Sequence, residues 1–297
     1  MGGSSRMPAD IARLSSNVAL AARFAPILLV LGFLLEFDRP ASAASPLLPR
    51  KSLATADTSN NARLEALKSI PLDKLDPADR AKVISVLSNV SVFRRMPLKV
   101  IDCDPDMYLF LVRHPDVVVN IWELLKISKL RMRQTGEGRF TLSEPVGATI
   151  SMEFVHQSHD THVIYGEGMY RGPLLARPVN GRGVLVLKTG YVRETNGRYY
   201  ITNRLDCFLS VEPVGAELLT KTVSPLVGKT ADNNFVQTAA FLGTISRTAE
   251  VNSRSVRALV SKLDGVRPKV RAQLAILAEE VNQKSSVASR SDDKLKR

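Results

Sequence analysis

Long apolar runs, cysteines and histidines are all scarce in this chain, and each scarcity closes off a class of protein. The one long apolar run, FAPILLVLGFLL from Phe24 to Leu35, has twelve residues, whereas a spanning helix needs about 20. Two cysteines, Cys103 and Cys207, supply no zinc-finger spacing. There is no RNA-binding signature and no lysine- or arginine-rich helix, so nucleic acid is not an expected partner. Catalytic motifs are missing too. Val227-Gly228-Lys229-Thr230 ends like a phosphate loop, but Val223 stands where its first glycine belongs. Asp102, Asp104 and Asp106 alternate like calcium ligands, yet Pro105 interrupts them and the downstream glycine and glutamate of an EF-hand are missing. No Gly-x-Ser-x-Gly elbow accompanies the serines. The expectation is a non-enzymatic protein without a cofactor.

What is present begins with an address. Arg6, Arg13 and Arg23 precede the apolar run, and Ala41-Ser42-Ala43 follows it. A basic start, a short apolar segment and a small-x-small site read as a secretory signal peptide over residues 1–43, cleaved near Ala43. The alternative is a retained N-terminal anchor. An exported protein, periplasmic or extracellular, is therefore expected. The formal net charge is +12, and removal of residues 1–43 leaves +11. Such a balance favours an anionic membrane surface or an acidic glycan. Oligomeric state is not legible. In an oxidising compartment two cysteines pair readily, though two buried free thiols fit the count equally well.

The remaining chain changes character twice. Residues 44–73, rich in Ser, Ala, Asn and Thr, read as a flexible linker. Asp76-Pro77 opens a leading helix within 74–96, with aspartate as cap and proline in the first turn. Leu98 to Ile101 reads as a short strand. Asp104-Pro105 and His114-Pro115-Asp116 each start a further helix. From Lys129 to Val211 come segments rich in β-branched and aromatic residues with no helix between them, about six antiparallel strands, and Asn196-Gly197 signals a hairpin. A helix is expected from Thr230 or Asp232 to Leu263, ended by Asp264-Gly265. A shorter helix lies in 265–283, and 284–297 reads as a disordered basic tail. The fold class is α+β: a curved antiparallel sheet of about six or seven strands packed on one long C-terminal helix, with extra N- and C-terminal helices.

This order of elements resembles the START-like, helix-grip (SRPBCC) superfamily. The resemblance is carried by VIDCDPDMYLFLVRHPDVVVNIWELL, by the strand series and by SPLVGKTADNNFVQTAAFLGTISRTAE. It covers Leu98 to Leu263, within a domain of residues 97–264, and the leading segment and the helix after Gly265 depart from it. It implies a sheet wrapped around the long helix and an interior cavity for lipids or other apolar ligands. It also implies that the first strand, ended by Cys103, lies beside the last, which holds Cys207, so that a disulfide joins them.

Three of the four histidines fall in FVHQSHDTHVIYG, Phe154 to Gly166. Pairing His156 with His162 across a hairpin aligns Phe154 with Ile164, Met152 with Gly166 and Ile150 with Gly168, apolar against apolar or glycine. That register makes His156 and His162 candidate metal ligands, with His159 at the tip. A two-residue turn at His159-Asp160 instead puts the two on opposite faces. On the inward face Gly166 and Gly168 remove side-chain volume, as Gly243, Ala239, Ala240 and Ser246 do on the long helix. The sequence thus points to a binding protein for a lipid-like or other apolar small molecule, held by Met152, Phe154, Ile164, Gly166, Gly168, Phe235, Ala239 and Leu242. The alternatives are a metal protein or enzyme built on His156 and His162, and a basic structural protein of the cell envelope.

Overall fold

The computed structural model describes residues 55–145, 147–171, 178–195, 197–212 and 228–295. The expected signal segment, residues 1–43, lies outside them. The described chain begins with two short helices, α1 (Asn60–Lys68) and α2 (Pro77–Leu87), joined through a 3-10 turn at Leu72–Lys74. Strands β1 (Val92–Arg95) and β2 (Lys99–Asp102) follow, then helices α3 (Pro105–Arg113) and α4 (Pro115–Leu124). A meander comes next: β3 (Arg131–Gly136), β4 (Arg139–Ser143), β5 (Ala148–Gln157), β6 (Thr161–Tyr170), β7 (Val179–Arg193) and β8 (Tyr199–Val211). Three helices close the chain: α5 (Lys229–Val251), α6 (Ser253–Val260) and α7 (Pro268–Leu295).

The strands form one antiparallel sheet in the order β1-β8-β7-β6-β5-β4-β3, and β2 also pairs with β8. β1 and β2 read as one edge interrupted at Pro97. Proline has no N–H for the ladder, and β1 pairs with Asp206–Leu209 while β2 pairs with Tyr200–Asn203. The Asn196-Gly197 signal falls in the β7–β8 connection, where Gly197 has φ +80°. Left-handed backbone of this kind is what glycine adopts without strain.

Two helix starts show the same local chemistry. Asp76 accepts the Asp79 N–H at 2.8 Å, and Asp104 accepts from Asp106 and Met107 at 2.9 and 3.0 Å. Proline follows both caps, where its missing N–H costs nothing. The long C-terminal helix expected through Leu263 is broken at Asn252, which leaves helical geometry (φ −155°, ψ 73°) and caps α6 by accepting the Ser255 N–H at 3.1 Å. An asparagine side chain competes with the helix for backbone donors in this way.

The inner face of the sheet packs on α3 to α7 around a core that includes Met107, Tyr108, Ile121, Ile150, Met152, Ile201, Ile245 and Leu263. Helix α7 belongs to this core through Val270, Leu274, Ala278 and Val281, a spacing of three or four that gathers one face of a helix. It runs antiparallel to α6, since Asn282 Nδ2 donates to Glu250 O at 2.8 Å and Ser253 Oγ donates to Glu279 Oε2 at 2.9 Å. The segment expected as a disordered tail begins as part of this helix, and Lys284 pairs with Asp106 at 2.7 Å.

A second apolar cluster lies on the other side of the sheet. Ala62, Ala66, Ile70, Leu75, Val83 and Val86 meet Phe93, Val163, Tyr165, Val184, Val186 and Phe208 there. Residues 60–74 are therefore helix and turn, where the composition suggested a flexible linker. Ser59 caps α1 by accepting the Ala62 N–H at 3.2 Å. Arg95 then fastens this layer, donating to Glu65 Oε2 at 2.9 Å, to Ala62 O at 3.2 Å and to the fully buried Asp206 at 2.7 Å. β6 to β8 are buried on both faces, which is why they read as near-continuous apolar runs.

The disulfide is corrected outright: Cys103 and Cys207 are both buried and both free. The first and last strands are neighbours, as the resemblance implied, but the two thiols lie at different heights. Cys103 N–H donates to Tyr199 O at 3.3 Å, whereas Cys207 stands opposite Arg94 on β1. The eight-residue difference along β8 corresponds to roughly 27 Å at strand spacing, far beyond a disulfide's reach. Burial pushes the Cys103 thiol up to about 12 and the Cys207 thiol higher still.

Candidate functional site: an apolar cavity between sheet and helices

Inner-face residues of β4 to β8 and residues of α3, α4 and α5 line a cavity of about 160 Å³. Met152, Phe154, Ile164, Leu185, Leu187 and Leu205 form its sheet wall. The facing wall takes Leu111 from α3, Val118, Val119 and Trp122 from α4, and Phe235, Thr238, Ala239 and Leu242 from α5. Among the described residues, no charged side chain lines it.

Six of the eight residues expected to face a ligand are on these walls: Met152, Phe154, Ile164, Phe235, Ala239 and Leu242. Gly166 and Gly168 are not. They share the same sheet face but lie further along, opposite Gly183 and Gly181 of β7 and beside Met152 and Ile150 of β5. A Cβ on Gly168 would come within 2.7 Å of Thr149 O and 2.8 Å of Ile150 Cγ1, so this glycine serves close approach within the sheet and not an opening. Gly243 serves close packing too, since its Cβ would lie 2.9 Å from Ile101 Cγ2. It lets α5 press against β2. Ala240 is exposed, and buried Ser246 accepts the Asp104 N–H at 2.8 Å.

Polar chemistry enters the cavity from Tyr108, Asn203 and Thr238. Tyr108 is fully buried; its hydroxyl donates to Asn203 Oδ1 and lies 3.1 Å from Thr189 Oγ1. Burial drives the Tyr108 phenol well above its ordinary value, so it remains protonated. The Tyr108–Asn203 pair was not singled out from the sequence. A signal existed: Asn203 is the one amide in the inward row Ile201-Asn203-Leu205-Cys207-Leu209, which the period of two defines.

The histidine hairpin folds by the alternative route. Ser158 N–H donates to Thr161 O at 2.8 Å, closing a two-residue turn over His159-Asp160. The expected pairing of His156 with His162 is replaced by His156 opposite Val163 and His162 opposite Gln157. A bulge between Phe154 and His156 then restores Phe154 to Ile164, Met152 to Gly166 and Ile150 to Gly168. One extra residue in one strand shifts the faces that follow it, and here it rescues the apolar alignment that the turn alone would break. The physical cause is clear: burying Phe154 outweighs an uninterrupted ladder.

The consequence is that His156 and His162 sit on opposite faces and do not converge on one ion. Among the described residues, no group of three or more His, Cys, Asp or Glu side chains is placed to hold a metal. His159 packs on the Tyr191 ring at 4.2 Å at the tip. His162 is fully buried beside Phe154, ring centroids 6.0 Å apart, and among the described residues neither ring nitrogen has a hydrogen-bond partner. Burial, followed by the charge of Arg113, lowers its pKa to about 4. His114 caps nothing with its side chain and stacks on Phe110 at 4.5 Å.

No family model matches the sequence, and no curated protein matches it. Among solved structures, hypothetical protein jhp0584 from Helicobacter pylori is similar with a TM-score of 0.32 at 15% identity, over 48% of this chain and 84% of that one. The allergen-named structure Ara h 8.0201 has a TM-score of 0.32 at 11% identity, over 51% of this chain and 97% of that one. Truncated norcoclaurine synthase from Thalictrum flavum has a TM-score of 0.28 at 13% identity, over 49% of this chain and 94% of that one. The chain is thus faintly similar over about half its length to several smaller proteins, a likeness too slight to assign a family, a ligand or an activity.

Proposed function

We propose that this protein is a non-enzymatic binding protein of the START-like, helix-grip kind, holding a small apolar molecule between the sheet and α5. One observation carries the reading. The core leaves a cavity of about 160 Å³ whose lining, among the described residues, includes no charged side chain. Interiors pack at crystal-like density with few voids larger than a water molecule, and an apolar void of this size accepts a guest such as benzene. Pockets for drug-sized ligands run from about 300 Å³ upward, so the volume suits a small molecule or the end of a chain better than a whole lipid.

The test is retention of a guest. Purified protein, stripped of bound molecules and then incubated with a panel of small aromatic and aliphatic compounds and lipids, is examined by native mass spectrometry. One guest per chain is expected, and Ala239→Phe, which fills the cavity from α5, should abolish it. Failure of the unaltered protein to retain any member of the panel overturns the reading. We extend the proposal to an exported protein working near an anionic surface. The N-terminal pattern and the net charge of +12 support this. It is checked by a mature N-terminus at Ala44 and by salt-sensitive retention on anionic vesicles; an intact Met1 start and no retention would remove it.

A further inference from the structure

The polar corner of the cavity has a direction. The Tyr108 hydroxyl has one hydrogen, and it is given to Asn203 Oδ1. The Thr189 hydroxyl, 3.1 Å away, then donates to the Tyr108 oxygen. The chain of donors runs from Thr189 through Tyr108 to the Asn203 carbonyl. Asn203 is 3% exposed and lines the cavity, and its Nδ2 makes no hydrogen bond with the described residues. A primary amide carries two donors on that nitrogen. A donor facing an apolar wall is better satisfied by an acceptor than left against apolar atoms. The cavity therefore presents N–H groups on an otherwise apolar wall.

We infer that Asn203 determines specificity by donating to an acceptor oxygen on a neutral, ring-sized guest. This rests on the cavity reading above and names the class of ligand: a small aromatic or alicyclic compound with one carbonyl or ether oxygen. Three features define the class. The volume of about 160 Å³ matches a single ring with a short substituent. Trp122, Phe154 and Phe235 on the walls favour an aromatic ring. A carboxylate or ammonium would enter a lining that, among the described residues, holds no counter-charge, and unpaired buried charge is strongly disfavoured. Tyr108 is a positioning residue: by occupying Oδ1 it holds the amide with its donors toward the guest.

The test compares guests of nearly equal shape: acetophenone with a carbonyl, isopropylbenzene without one, aniline as a donor, and benzoate as an anion. Trp122 is the chain's single tryptophan and lines the cavity, so its fluorescence reports binding directly. Acetophenone should bind roughly five- to tenfold more tightly than isopropylbenzene, the worth of one neutral hydrogen bond, with aniline weaker and benzoate not bound. Asn203→Leu should erase the ketone preference while retaining isopropylbenzene. Tyr108→Phe, which frees Oδ1, should keep ketone binding and admit aniline. Equal affinity for ketone and hydrocarbon in the unaltered protein, or a preference for aniline, overturns this inference and leaves the cavity reading standing. Binding of none of the neutral guests overturns both. The unaltered protein alone separates these outcomes, so a variant that fails to fold does not affect them.

Discussion

Acidification offers a sharp test of the interior, because His162 is buried without a partner for either nitrogen among the described residues. In the folded chain its pKa falls to about 4, from 6.5, chiefly through burial. The native state therefore keeps this imidazole neutral, while the unfolded chain takes up a proton below pH 6.5. Between those values the unfolded state binds more protons, so stability falls as pH falls, and the effect vanishes above about pH 7. With those two pKa values, His162 alone removes about 2 kcal/mol of stability between pH 7.5 and pH 5. Asp116 acts in the opposite sense. It is fully buried, and burial raises its carboxyl to about 6, so the native state holds a proton there that the unfolded chain releases. On the same reasoning acidification to pH 5 returns about 1 kcal/mol through Asp116. The whole-protein curve is thus partly cancelled, and the informative quantity is a difference. Urea unfolding of the unaltered protein and of His162→Phe at pH 7.5 and pH 5 should show the unaltered protein losing about 2 kcal/mol more than the variant. At pH 7.5 the variant should lose little stability, since removing two buried unsatisfied nitrogens offsets the extra volume of the phenyl ring. Equal losses in the two proteins, or a large loss in the variant at pH 7.5, would refute the account of His162 as an unpaired neutral imidazole.

Two further expectations concern positions where atoms meet closely. Both thiols should be unreactive to a water-soluble disulfide reagent in the folded protein and should titrate as two per chain in denaturant; an intact Cys103–Cys207 bridge under non-reducing conditions would contradict the strand register. Gly265→Ala should destabilise the chain by roughly 2–3 kcal/mol in urea unfolding, within the range of overpacked sites. The new Cβ would sit 2.0 Å from Asn120 Oδ1, and Asn120 cannot yield without losing its bonds to Asp116 O and Met132 O. An unchanged midpoint would show that the α6–α7 connection is free to shift.

Much of this architecture was legible because it depends on neighbouring residues. Aspartate followed by proline marks the starts of α2 and α3, the Asn196-Gly197 pair falls in the β7–β8 connection, and alternation along β5 and β6 puts Met152, Phe154 and Ile164 on one face. Other features were out of reach for a stated reason. The alanines of α1 carry too little apolar area to announce a helix by themselves. They are buried in the layer that covers the outer face of the sheet, where α1 lies against β1. Asn203 could have been noticed as an amide in an apolar row, but its partner Tyr108 lies 95 positions away.

The amino-acid sequence by itself determined the order of the main elements, the Asp-Pro caps and the shared face of Met152 and Phe154, because these follow from short-range sterics and hydrogen bonding. Tertiary structure decided what those faces meet. It set Cys103 and Cys207 eight residues apart along β8, since β1 and β2 pair with different stretches of that strand. It also placed a bulge at Val155, because burying Phe154 against Ile164 outweighs a regular ladder, and that one residue sends His156 outward and His162 inward. The cavity belongs to the same level of organisation, for its volume exists only where sheet, α4 and α5 fail to close completely on one another.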